Sequence, residues 1–212
     1  THRGTLFPYT TLFRSDAGIH WGNDRLTIQF DPYLNYFPNY IYMNPTPNYY
    51  EGLQWYYYTQ SRVIRCGFEL QADWKILPSL SAEFKGEYLY AEQLSGEKKG
   101  YTLPFSTPWS ADATLRYAFC RKNVGNEGFV AMNMHVTGRQ NNIVPPEKPT
   151  PGYYTLNLTA GKDFAFGERT LRLSLNAENL LNRKYYDHTS FYRLIDVPEP
   201  GRNVALMATF EF

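Results

Sequence analysis

At 212 residues with a net charge of +1, the chain is long enough for one domain with a core or for part of something larger, and its charge balance gives no reason to expect nucleic acid or an acidic polymer as partner. Aromatic residues reach 17%, led by 19 Tyr, while mean hydropathy is −0.50. That pairing fits a wall with aromatic girdles and long polar loops better than a compact soluble core. No apolar run exceeds five residues, which excludes a transmembrane helix, whereas a membrane-spanning strand needs only about 9–11 alternating residues. Cys66 and Cys120 are too few and too far apart for a disulfide framework or a zinc site, and both are read as free thiols.

The chain opens with TLFPYTTLFRS, Thr5 to Ser15, which resembles the in-frame translation of a short-read sequencing adapter. Residues 1–15 are therefore set aside as a cloning or assembly artefact, and the rest is read as an open fragment without its upstream part or a signal peptide. Strand signals follow at once. Ala17 to Trp21 is short and closes on the tight-turn composition Gly22-Asn23-Asp24; Arg25 to Tyr42 is long, with Leu26, Ile28 and Phe30 opposite Thr27, Gln29 and Asp31. Pro32 and Pro38 predict bulges or bends along it. Met43 to Glu51 (MNPTPNYYE) reads as loop by composition. Gly52 to Lys75 is a very long strand with break points expected near Ser61 or Gly67. Leu80 to Leu94 returns after a short turn at Pro78.

Ser110–Phe119, Phe129–Thr137 and Tyr153–Asp163 continue the alternation, separated by a longer loop 95–108, a turn at 120–127 and a loop 138–151. Two alternating segments close the chain. Leu171, Leu173, Leu175 and Ala177 share one face of the first; Val204, Leu206, Ala208, Phe210 and Phe212 share one face of the last. The sum is nine strands and no helix, with short connections alternating with long ones at 43–51, 95–109, 138–151 and 188–200. One greasy and one polar face per strand fits a half-buried sheet in water, and equally a barrel with lipid outside and water inside. Segregating short and long connections to opposite ends favours the barrel, as do strands longer than the roughly 30 Å hydrocarbon core.

The residues NAENLLNRKYYDH and PGRNVALMATFEF, ending in Phe212, resemble the C-terminal signature of TonB-dependent outer-membrane receptors. NYIYMNPTPNYYEGLQWYYYTQ and the following GFELQADW, with Tyr58, Gln60, Gly67 and Glu69, look like the mid-barrel of the same family, so the resemblance runs over residues 16–212. It implies an all-β, antiparallel up-and-down transmembrane barrel of about 22 strands, of which this chain supplies the last nine. The plug, the TonB box and the first strands lie outside this sequence. The implied function is import of a scarce nutrient, most often a ferric siderophore, energised by the TonB complex through the plug, at the bacterial outer membrane, without enzymatic activity or a cofactor. The implied partners are outer-membrane lipid, the barrel-assembly machinery and the small-molecule ligand.

Single residues then take roles. Phe210 and Phe212 resemble the barrel-assembly recognition signal. Tyr49, Tyr50, Tyr101, Arg139, Tyr192 and Arg193 lie in long loops, where rings and guanidinium groups suit an anionic chelate. Glu69, Glu83, Glu87 and Glu178 fall on lumen faces. His20, His135 and His188 have no ligand spacing and are read as non-ligand, His2 falls in the set-aside stretch, and Asn157-Leu158-Thr159 is a sequon without meaning in mid-strand. Two other readings compete: another outer-membrane barrel, such as a porin or a barrel phospholipase, and a soluble carbohydrate-binding β-sandwich. Nine strands with two unpaired edges predict insoluble expression in isolation.

Overall fold

Period-2 alternation dominates the sequence, and the backbone is extended nearly wherever that pattern occurs. The computed structural model describes residues 13–119, 127–166 and 169–211. Ten strands account for most of them: β1 (Phe13–Asp16), β2 (Ile19–Gly22), β3 (Leu26–Tyr50), β4 (Leu53–Leu77), β5 (Leu80–Gln93), β6 (Ser110–Phe119), β7 (Gly128–Thr137), β8 (Tyr153–Phe166), β9 (Arg169–Glu178) and β10 (Asn203–Glu211). Helical structure among the described residues is one 3-10 segment, Phe191–Ile195.

Strands β3 to β10 pair antiparallel, each with the next, as an up-and-down meander. β1 and β2 lie end to end along the other edge of β3; the short segment expected over Ala17–Trp21 is β2, and the tenth strand is β1, which lies before it. Phe13, Arg14 and Ser15, from the stretch set aside above, stand opposite Tyr36, Asn35 and Leu34. The sheet is open: β10 is paired with β9 and β1 with β3, but these two edges are not paired with each other.

Register makes the faces continuous. One row runs Trp21, Ile28, Ala72, Phe84, Ala113, Met134, Leu156 across seven strands; another runs Leu26, Trp74, Ala82, Leu115, Met132, Leu158, Ala177, Val204 across eight. Interleaved with them on the other face is the row Gln29, Gln71, Lys85, Asp112, His135, Thr155. Large side chains in these rows are exposed, Trp21 at 55%, Trp74 at 51% and Val204 at 58%, and Leu206 on the same face of β10 reaches 76%. A face this apolar and this open is what an outward band against lipid requires, with polar side chains turned inward.

Met43–Tyr50, expected as loop, is strand instead. β3 continues to Tyr50, and the connection shrinks to Glu51-Gly52, whose φ values of 49° and 81° place both central residues in the left-handed region of a primed hairpin turn. Two features let a proline-rich stretch join the ladder. Among the described residues β3 is paired on both sides only up to Tyr36, and beyond that point the ladder bonds described are those toward β4. Register shifts at Phe37/Tyr40 and Pro45/Tyr49 absorb Pro38 and Pro47. The expected irregularity therefore occurs at Pro38, whereas Pro32 stays in register opposite Phe68. β4 runs unbroken past Ser61 and Gly67. At Gly67 a side chain would collide with the Tyr88 carbonyl and the Tyr33 hydroxyl, at 2.1 and 2.6 Å from an added Cβ, so the close approach excludes every other residue.

The shift at Phe37/Tyr40 adds one residue to β3 and switches which parity points inward. Phe37, Tyr40 and Tyr42 consequently share a side and pack on buried Val63, Ala91 and Leu103. Leu103 comes from the β5–β6 connection folding back over the polar face, which places this small core at the end of the sheet that carries the long connections.

Candidate functional site

Three long connections meet at that end: 94–109, 138–152 and 179–202. Each is fixed by polar side chains that lost water and gained specific partners. Gln93, the last residue of β5, donates from Nε2 to the Thr102 carbonyl at 2.7 Å and accepts from the Tyr42 hydroxyl. Thr102 and Ser106 hydroxyls are 2.8 Å apart. Gln140 closes the second connection by pairing its backbone with Thr150, and its Nε2 donates 2.7 Å to the Ser106 carbonyl, which joins the second connection to the first.

The junction of all three is an ion pair. Arg193, in the 3-10 segment, donates from Nη2 to Glu147 Oε1 at 2.8 Å, with side chains 7% and 0% exposed. The same carboxylate accepts the backbone N–H of Phe105 at 3.1 Å. Arg193 also donates from Nε to the His188 carbonyl at 2.6 Å and lies over the Phe105 ring at 5.1 Å. Phe105 stacks between Phe191 (4.7 Å) and Tyr56 (6.1 Å), which brings the β3–β4 hairpin into the assembly. Phe105 holds φ at 55°, a strained value for a non-glycine residue, and its N–H points at Glu147.

His188 lies beside this pair, 1% exposed, its Nδ1 2.8 Å from the Thr150 hydroxyl and its Nε2 without a partner among the described residues. Burial, with the Arg193 charge adding to it and Asp187 opposing it, pushes the imidazole down to about 4, so it is neutral at physiological pH. Burial raises the neighbouring Asp187 carboxyl. Hydrogen bonds from the Thr189 side chain and backbone and from Tyr153 outweigh this and leave it below its ordinary range.

The residues assigned to ligand contact separate into two groups. Tyr49 (63% exposed), Tyr50, Tyr101, Arg139 and Tyr192 (59%) all face solvent at the long-connection end, and Tyr50 is 6.4 Å from Trp55 at the hairpin tip. Arg193 points inward and its charge is engaged by Glu147. Composition gave no sign of Glu147, His188, Phe105 or Gln93, whose roles depend on partners far away in the chain. A polar depression on the sheet's inner face is lined by Asp31, Glu69, Lys85, Glu87, Asp112 and His135, so the expected inward placement of Glu69 and Glu87 matches their position. Among the described residues no group of three or more His, Cys, Asp or Glu could hold a metal ion. Cys66 is a free thiol, and Cys120 lies outside the described residues. Phe210 stands opposite Leu171 on the apolar face; Phe212 also lies outside the described residues.

Residues 15–180 match the family described as TonB dependent receptor-like, beta-barrel. No curated protein matches the chain. Solved structures do. The copper transporter OprC superposes with a TM-score of 0.78 at 18% identity, over 95% of this chain and 31% of that one. BauA, the ferric preacinetobactin receptor from Acinetobacter baumannii, gives 0.73 at 14%, over 97% and 30%. The unliganded ferric citrate transporter FecA gives 0.69 at 19%, over 93% and 30%. The chain thus spans about three-tenths of the length of these barrels. Open meander, exposed apolar band, polar inner face and matched residues agree, and the chain belongs to the TonB-dependent receptor β-barrel family.

Proposed function

We propose that this chain is barrel wall from an outer-membrane receptor that imports a scarce nutrient, a ferric siderophore, with energy delivered by TonB through a plug encoded upstream. The observation carrying this reading is the closure of one end of the polar face by three interlocked connections around Arg193 and Glu147, with Tyr49, Tyr50, Tyr101, Arg139 and Tyr192 left facing outward. A porin passing small solutes by diffusion has little need of long connections interlocked around a buried ion pair with aromatic side chains facing outward. Exposed amphipathic rings and a cationic side chain, Arg139, at the same end of the sheet suit a bulky anionic chelate. In this reading residues 16–212 are receptor sequence, residues 1–15 are foreign to it, and the wall acts without enzymatic chemistry of its own.

Two partners follow from the same reading. The apolar rows contact outer-membrane lipid, and Phe210 with Phe212 presents the strand that the barrel-assembly machinery recognises; deleting Phe212 from the full-length receptor then lowers its outer-membrane level. The deciding experiment expresses the full-length gene in a strain stripped of its own iron receptors and supplies single ferric siderophores under iron limitation. Growth that requires both the gene and TonB supports the reading. Uptake that persists without TonB points to a diffusive porin and sinks it, and growth only with copper or ferric citrate reassigns the cargo.

A further inference from the structure

The inner face carries a branched hydrogen-bond network that neither lipid contact nor the exposed rim uses. Its root is Asp112 on β6, in the polar depression. In one branch, Asp112 Oδ2 is 3.1 Å from His135 Nδ1, and His135 Nε2 is 2.9 Å from the Thr137 hydroxyl. Thr137 stands opposite Tyr153 in register, the His135 and Tyr153 rings are 6.0 Å apart, and Tyr153 donates to Asp187 Oδ2 at 2.9 Å. In the other branch, Asn133 donates to Asp112 Oδ1 at 3.1 Å and Asn157 donates to Asn133 Oδ1 at 3.0 Å. The Asn157 side-chain oxygen accepts the Asn179 N–H at 2.9 Å, and Asn179 in turn ties Arg183 at both N–H and carbonyl and reaches the Pro200 carbonyl.

The branches cross β7 and β8 sideways and end on the same connection, 179–202, at Asn179 and at Asp187. Among the described residues the Asp112 side chain bonds only Asn133 and His135. We propose that Asp112 is a positioning residue for connection 179–202, so that the inner wall sets where Tyr192 sits at the rim. Its importance for cargo rests on the recognition reading above; its effect on the connection does not. A carboxylate suits the root because its two oxygens accept from both branches at once, which an alcohol or an apolar side chain cannot do. Sideways continuity matters because a network whose members are all satisfied holds one arrangement against its alternatives.

The test is hydrogen exchange on the full-length receptor in membrane mimetic, without ligand. D112A is expected to speed exchange about fivefold over residues 183–198, the effect of losing about one net hydrogen bond, and to leave the hairpin tip 47–55 unchanged. D112N, whose amide oxygen still accepts from Asn133, is expected to keep most of the protection. E69Q, in the same depression but in neither branch, should change neither segment. Unchanged exchange over 183–198 in D112A overturns the proposal, as does equal loosening of both segments or an E69Q effect of the same size. If D112A fails to insert, H135F and N157A each cut one branch: about twofold singly and about fivefold together is expected, and no change in the double variant overturns the proposal. Because no ligand is used, a receptor that imports nothing can still satisfy this test, and one with full uptake can still fail it.

Discussion

Arg193 and Glu147 meet at 2.8 Å in a site closed to water, although they lie 46 residues apart in the chain, on different connections. Burial removes the screening that makes surface pairs nearly worthless, but it also removes the hydration of both ions. The geometry compensates, since Glu147 also receives the Phe105 and Val144 N–H groups and Arg193 also donates to the His188 carbonyl. The pair therefore acts as a junction for three connections whose arrangement depends on both charges being present.

Removing one partner leaves the other charge buried and alone. R193M is expected to weaken the docking of connections 138–152 and 179–202 by about 3–5 kcal/mol, read as faster limited proteolysis within both. The double variant R193M/E147Q removes both charges and keeps an oxygen for the Phe105 N–H, so much of the loss should return. Equal proteolysis of wild type and R193M would show that the pair is not a junction.

Acid should open the same junction. The His188 imidazole, held near 4 when docked, returns toward 6.5 when the connection is released, so the released form binds the extra proton between those values. Docking is at full strength above about pH 6.5 and weakens as pH falls toward 4; the depressed Asp187 carboxyl acts in the same direction at still lower pH. H188Q should flatten the upper part of this profile, measured as protease resistance of 179–202 against pH. A profile identical to wild type would remove His188 as the cause.

The rim tyrosines carry little folding energy because they are exposed. Y49A, Y50A and Y192A combined should shift stability within about 0.5 kcal/mol each while weakening binding of the ferric siderophore that supports growth. Unchanged affinity in the triple variant would remove these rings from recognition.

Facing can be tested by charge. Met134 lies in an apolar row and Thr114, on the neighbouring strand, points to the other side. M134R is expected to cost about 2–4 kcal/mol near the bilayer midplane and to lower outer-membrane yield, whereas T114R should insert normally. Equal yields would contradict lipid contact for the apolar rows.

Gly52 tests the hairpin. Its φ of 81° makes G52V strained by about 1 kcal/mol or more, so the tip should fray and expose Tyr50 and Trp55 to faster exchange. A tip exchanging at the wild-type rate would mean that the turn does not depend on glycine.

Alternation is a local property, because neighbouring side chains on a strand must point to opposite faces. It is why Leu171, Leu173 and Leu175, or Met132 and Met134, are readable as one face without coordinates, and why the strand order and the family resemblance could be read from the sequence alone. The stretch Met43–Tyr50 was not legible in this way. Its prolines indicate loop locally, and two register shifts against β4 accommodate them in β3. Tertiary structure likewise decided that Arg193 turns inward while Tyr192 beside it stays out, and that Asp112 connects to Asn179 through two asparagines on other strands. Buried polar groups take whichever partners remove their desolvation cost, and when those partners lie on distant strands no spacing in the sequence marks them.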